Sequence, residues 1–326
     1  MPYVGRVPSS VPVTADDIPA NSIDASKIVD GAIAVADVAD NAITMAKIAD
    51  ADVVTLKSGR KNLIINGGMS VSQRGDYSTA TSMTNGQYGV DRWKSEVKLV
   101  TAALTHTDNK IRYTATSTAS GRLGPIQWVE FDNRFKGKEF TFSAYVKSNH
   151  SNVNLRIDDG VTVQYSSLYT GNATEAVERL SKTFTVASNA TQLKLYAKIG
   201  SGGDTAMTTG DYIEIYDAQL ELGSVATDFE HRSYGEELAL CQRFYQALGA
   251  HEIGATRGTE GTYSGSENIL FPVRLRTTPT LNYNTTYSAN GSCIGVYASD
   301  VGLKMVGNCG GLQYLVINYI TLDAEL

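Results

Sequence analysis

Eighteen tyrosines against eight phenylalanines, with two tryptophans, make rings with a polar edge the leading chemical resource of this 326-residue sequence. Such rings stack on flat ligand faces, sugars included, while the hydroxyl or indole N–H stays wet. Trp128, Tyr165 and Tyr169 stand beside polar turn residues and are the candidate ligand-facing rings, whereas Trp93, in the run YGVDRW, is expected in a core. Catalytic patterns are missing. His106, His150, His231 and His251 have no Cys or His at ligand spacing, and His251-Glu252 lacks the second histidine of a zincin. The run GSGG at 200–203 leads into Asp204 rather than a Lys-Ser/Thr pair, so it reads as a hairpin turn and not a phosphate cradle. Asp158-Asp159-Gly160 could contribute to a calcium site and reads more simply as a turn. Thirty-four acidic residues offer accidental pairs, but glycoside hydrolysis needs two held roughly 5 to 9.5 Å apart, which no sequence displays. The expectation is a binding protein, not an enzyme, with no cofactor and with metal binding left open.

Rings of this kind need a framework, and the pattern points to β-structure. Phe140, Phe142, Ala144 and Val146 alternate with Thr141, Ser143, Tyr145 and Lys147, which gives a strand one apolar and one polar face. Further strands are predicted at 153–157, 161–165, 183–186, 193–199 and 212–222, separated by turn-rich pieces. Many short strands without intervening helices read as a sandwich. A helix is predicted over 234–248, opened by Ser233 with Glu236 three residues on, and its apolar face is Leu238, Cys241, Tyr245 and Leu248. Beyond it, strands are predicted at 268–275, 280–285, 293–297, 303–306 and 312–322, with Pro272 marking an edge or bulge in the first. Cys241, Cys293 and Cys309 are odd in number and lack CxxC spacing, so thiols packed as small apolar residues are expected.

The N-terminal part differs in kind. Four of the seven prolines fall in the first 20 residues, and no aromatic residue occurs from Val4 to Asp76. An aliphatic residue recurs every five positions, at Ile18, Ile23, Ile28, Ile33, Val38, Ile43, Ile48 and Val53. A five-residue step drifts by about 140° on an α-helix and alternates faces on a strand, so neither element explains it; short residues two positions earlier are similar to pentapeptide-repeat solenoids. Eight buried aliphatics contribute about 12 to 24 kcal/mol, against roughly 1 to 2 kcal/mol per residue for ordering the backbone. The repeat therefore needs neighbouring chains, and a homo-oligomeric stalk is expected, with a solenoid or a flexible acidic linker as the other readings. Eight Asp and two Lys lie between Asp16 and Asp52, so the chain's net charge of −6 belongs to this segment. The remainder is neutral, which excludes a basic nucleic-acid binder and predicts ligand binding that depends only weakly on salt. No stretch is apolar enough over about 20 residues to span a bilayer, and no signal peptide precedes the prolines.

Three runs carry a resemblance. NLIINGGMSVSQRG at 62–75, YGVDRW at 88–93 and YDAQLELGSVATDFEHRSYGEELALCQRFYQ at 216–246 resemble tail-fibre proteins of tailed bacteriophages. The resemblance implies a mainly β chain: a virion-anchoring arm at 1–17, a repeat stalk at 18–58, a jelly-roll module of carbohydrate-binding type at 59–233, a linking helix at 234–248 and a β tip at 249–326. It also implies a homotrimer in the virion tail fibre, a tail or baseplate partner at the N-terminus, and adsorption to host polysaccharide or lipopolysaccharide. Neither nucleic-acid binding nor membrane insertion is expected. A virion-borne glycan hydrolase or deacetylase, and a structural baseplate spacer, are the alternatives.

Overall fold

Runs of alternating polarity form strands throughout the part of the chain that the computed structural model describes, residues 60–200, 202–249, 251–253, 256–257, 262–287, 291–310 and 315–325. The expected arm at 1–17 and stalk at 18–58, with its core of Ile18, Ile23, Ile28, Ile33, Val38, Ile43, Ile48 and Val53, lie outside the described residues.

Twelve strands come first: β1 (Thr81–Met83), β2 (Lys94–Lys98), β3 (Ala102–Thr107), β4 (Lys110–Ala115), β5 (Ala119–Trp128), β6 (Glu139–Ser148), β7 (Val153–Asp158), β8 (Val163–Tyr165), β9 (Glu178–Thr185), β10 (Lys194–Ile199), β11 (Thr205–Met207) and β12 (Tyr212–Leu222). They form two antiparallel sheets, β1-β3-β4-β12-β6-β9 and β11-β5-β10-β7-β8, with β2 paired to β5 in the second. The sheets close on one apolar core. Phe140, Phe142, Ala144 and Val146 of β6 are fully buried, as their alternation requires, and share the core with Ile213 and Ile215 of β12, Leu155 of β7 and Leu195 of β10. Each such side chain contributes about 1.5 to 3 kcal/mol by leaving water. This is the jelly-roll-like sandwich expected from the sequence. Trp93 lies in the core as expected, with Nε1 donating to Asn66 O at 2.8 Å.

One glycine decides how β5 meets β10. The register is the same at Ile126–Tyr196 and at Leu123–Ile199, with Gly124 in the stretch between them. A Cβ on Gly124 would stand 2.2 Å from Ala197 O, and its φ is +154°. The missing side chain thus lets the two backbones approach there. The GSGG run is not a hairpin: it joins β10 to β11, and both pair antiparallel with β5.

Helix α1 (Tyr234–Gln242) starts at the expected capping box, with Ser233 and Glu236 satisfying each other's backbone N–H. It is shorter than expected. Residues Tyr245–Leu248 leave the helix and form β13, paired with β20 (Leu315–Asp323), so the expected face of Leu238, Cys241, Tyr245 and Leu248 is divided between two elements. Cross-strand hydrogen bonds and burial of Phe244 and Tyr245 outweigh the local helical preference. The Cys241 thiol is free and buried.

The remaining strands are β14 (His251–Ile253), β15 (Thr256–Arg257), β16 (Thr262–Leu270), β17 (Thr280–Tyr287), β18 (Gly291–Ala298) and β19 (Gly302–Gly310). One sheet runs β13-β20-β14 with β17 on β20, and the other β15-β16-β19-β18. The strand expected to reach residue 275 stops at Leu270. Pro272 therefore follows β16 rather than forming an edge or bulge in it, and Phe271 and Leu275 turn inward onto Leu303, Met305, Ile320 and Leu322. Two arginines tie this second unit to the sandwich. Arg92, 2% exposed, pairs with Glu325, donates to Trp128 O at 2.6 Å and lies 3.7 Å over the Phe244 ring. Arg74 bonds Asp323 at 3.1 Å and Glu325 at 2.8 Å beneath Tyr245.

Candidate functional site

Residues directly opposite each other in an antiparallel pair put their side chains on the same face. The register of the second sheet therefore defines its outer surface. Trp128 stands opposite Lys194, Lys194 opposite Asp158, and Asp158 opposite Val163. In the next row Ile126 faces Tyr196, Tyr196 faces Arg156, and Arg156 faces Tyr165. Lys198 is opposite Asn154, while Lys94, Glu96 and Lys98 of β2 lie opposite Ile126, Gly124 and Arg122. One face thus carries three rings, from β5, β10 and β8, set among cations and a few carboxylates; Trp128 and Tyr165 are accessible, whereas Tyr196 is buried at 7% exposure.

The charges are interlocked. Lys198 Nζ pairs with Glu96 at 3.2 Å, Glu96 lies 3.9 Å from Arg122, Arg122 Nε is 2.8 Å from Asp204, and Arg156 pairs with Asp158 at 2.9 Å. Lys194 Nζ sits 4.1 Å over the Trp128 ring, and the Arg156 guanidinium 4.5 Å over Tyr196. Lys198 is 1% exposed; burial pushes its pKa down, and Glu96 acts against that. Burial raises the Tyr196 hydroxyl pKa. Four polar atoms on this face, Asn154 Oδ1, Arg156 Nε, Glu96 Oε2 and Arg122 Nε, are shielded and lack a hydrogen bond of good geometry, although Glu96 and Arg122 are held in ion pairs. A ligand on this face would meet the Trp128 and Tyr165 rings and the Lys194 ammonium, whereas the Asn154 and Arg156 atoms are shielded from it.

Of the three rings singled out from sequence, Trp128 is half-buried and Tyr165 is 37% exposed, both on this face. Tyr169 is not a surface ring: it is 2% exposed and its hydroxyl donates to Ala176 O at 2.5 Å, because the chain after β8 folds back over the sandwich core. The sequence reading missed Tyr196, Arg156, Lys198, Asn154 and Glu96. The signal was present in KLYAKI at 194–199, where Lys, Tyr and Lys alternate with apolar residues. Asp158-Asp159-Gly160 forms a turn. Asp159 accepts from Val161 N, Thr162 N and Ala187 N at 2.9, 2.6 and 2.9 Å. Burial alone would raise its pKa; these backbone donors outweigh that and hold it below the ordinary value. Among the described residues no group of three or more His, Cys, Asp or Glu could hold a metal ion, and no helix is long and apolar enough to cross a membrane.

Other surfaces offer less. On the first sheet Tyr145 and Tyr216 stack at 5.1 Å with 9° between planes, so each ring spends a face on the other. A cavity of about 440 Å³ is lined by Leu63, Phe140, Leu222 and Val225, and its polar groups Lys61, Thr227 and Glu221 hydrogen-bond in series. The three runs that carry the tail-fibre resemblance meet in the interior, although Arg92 and Tyr88 of the second also touch Trp128 O and Lys94. Asn66 Nδ2 donates to Val71 O and Asp91 O, Asn66 N donates to Glu237, Asn62 bonds Ala218 O and Leu220 N, and Arg232 donates to Ile64 O. Those residues are a buried clamp between distant segments, a structural role.

No protein-family description matches this chain, and no curated protein does. Solved structures resemble about half of it. A carbohydrate-binding module described as "CBM4 structure and function" is 16% identical, with 49% of this chain and 100% of that one covered and a TM-score of 0.31. The enzymatically active domain of tailspike protein 4 of bacteriophage CBA120 is 12% identical over 50% of this chain and 21% of its own, with a TM-score of 0.31. The tripod from the baseplate of bacteriophage Tuc2009 is 14% identical over 55% and 60%, with a TM-score of 0.30. Likenesses of this size carry no ligand, activity or assembly over to this chain.

Proposed function

We propose that this chain is a receptor-binding tail-fibre protein of a tailed bacteriophage, and that its sandwich attaches to host-surface polysaccharide or lipopolysaccharide through the outer face of the second sheet. The observation that carries the reading is the alignment of the accessible rings Trp128 and Tyr165 with Lys194 and Arg156 on that face, packed against the buried Tyr196, Lys198 and Asn154. The virion setting is supported by the resemblance of residues 62–75, 88–93 and 216–246 to tail fibres. Attachment involves no covalent step. Trp128 and Tyr165 supply stacking area, and the interlocked charges hold the polar groups in place before the ligand arrives. The N-terminal repeat joins three copies, so that individually weak sites act together.

A glycan array probed with full-length protein tests this. Defined glycans are retained, and Trp128→Ala with Tyr165→Ala abolishes retention without lowering the thermal midpoint. Failure to retain any host glycan would overturn the reading. New reducing ends or released acetate on incubation with host polysaccharide would replace attachment by catalysis. A 35.0 kDa monomer in light scattering at micromolar concentration would remove the trimer.

A further inference from the structure

Resting on the glycan-binding role proposed for this face, we infer that its ligand is an acidic polysaccharide carrying carboxylates on its sugars. Register places six cations on or beside the face, Lys94, Lys98, Arg122, Arg156, Lys194 and Lys198, against the carboxylates Glu96, Asp158 and Asp204. The local balance is positive although the chain as a whole carries −6.

The disposition of the cations says more than their number. Two of the three rings already have a cation on them, Lys194 over Trp128 and Arg156 over Tyr196. A neutral sugar stacking on Trp128 from that side would displace the Lys194 ammonium and give nothing in return. An acidic sugar keeps it as a counter-ion while the ring takes the sugar face. Asp158, opposite Lys194 in register, is engaged by Arg156 at 2.9 Å, and no carboxylate among the described residues lies within ion-pair distance of Lys194. The ammonium that borders the Trp128 ring thus has capacity left for an anion. On this face cations outnumber carboxylates six to three, so this proposal expects a steeper salt dependence than the neutral composition alone does.

The test measures retention of the full-length protein on a panel of immobilised acidic and neutral bacterial polysaccharides, with polygalacturonate and dextran as reference polymers and a single-stranded oligodeoxynucleotide as a further arm. Acidic polymers are retained at least about tenfold more tightly than neutral ones in 20 mM salt, and that affinity falls about tenfold or more in 300 mM salt. Lys194→Gln weakens retention about fivefold with an unchanged thermal midpoint, while Lys110→Gln, on the other sheet, leaves it unaltered. Equal or tighter retention of neutral polymers, or insensitivity to salt, would overturn the acidic assignment and leave the glycan reading standing. Retention of no polysaccharide would overturn both. Equal retention of the oligodeoxynucleotide would reassign the face to nucleic acid.

Discussion

Asn66 is the residue whose loss tests the buried clamp most directly. It is fully buried at φ +57°, a left-handed conformation that asparagine tolerates better than most residues. Its Nδ2 donates to Val71 O at 2.8 Å and Asp91 O at 2.9 Å, and its Oδ1 accepts from Val71 N at 3.0 Å. Asn66→Ala removes all three. Val71 O keeps a longer bond from Asp91 N at 3.3 Å, so the groups left unpaired are Val71 N–H and Asp91 C=O. Each buried unpaired group costs about 1–3 kcal/mol, and alanine in the left-handed region adds about 1 kcal/mol. With partial relaxation the expected loss is about 4 kcal/mol, a large share of the stability of a domain. Trp93 reports it locally, since its Nε1 donates to Asn66 O at 2.8 Å. Urea unfolding followed by indole fluorescence in a Trp128→Phe background isolates that signal. Asn66→Gly, which relieves the backbone, should lose less than Asn66→Ala. A loss under about 1 kcal/mol for Asn66→Ala would refute the clamp, because two buried peptide groups would then have found other partners. Glycan retention by the folded fraction of Asn66→Ala with Trp128 intact should be unchanged.

Trp128→Ala should cost about 1–2 kcal/mol of glycan affinity with little change in thermal midpoint. Tyr169→Ala should do the reverse, losing about 3–5 kcal/mol of stability because its ring is buried, as differential scanning calorimetry of both variants would show. Gly124→Ala would force a Cβ to within 2.2 Å of Ala197 O; the expected loss is about 3 kcal/mol, read from the urea midpoint, with weaker retention because Lys198 moves with β10. Burial raises the Asp91 carboxyl from 3.8 to about 6. Between those values the folded chain holds its proton more tightly than the unfolded chain does. Asp91 thus makes stability fall as pH rises through the window, by about 3 kcal/mol in all. Asp91→Asn should flatten that part of the urea midpoint against pH profile; an unchanged profile would show that Arg74, 3.6 Å away, already neutralises the group.

Local pattern carried far where the physics is local. The alternation in β6, the length of β12 and the Ser233 capping box were legible because side-chain period and cap chemistry act over a few residues. Trp128 and Tyr165 could be named from their polar neighbours, yet the same criterion also selected Tyr169, which is core. Nothing in a one-dimensional pattern separates a ring beside a turn that faces water from one that the turn folds inward.

What the sequence by itself determined is the β class, the acidity of the repeat segment and the polar-apolar faces of single strands. Tertiary structure decided which of those faces share a surface. Register across β5, β10, β7 and β8 sets Trp128, Tyr196, Arg156 and Tyr165 side by side, although they come from segments up to 70 residues apart. It also decided that Tyr245–Leu248 is strand, since its hydrogen-bond partners lie at Ile320–Asp323, beyond the reach of any local preference. The charge of the ring-bearing face belongs to the same class of fact. Composition sums charges over the chain, whereas a ligand meets only those that pairing brings to one side of a sheet.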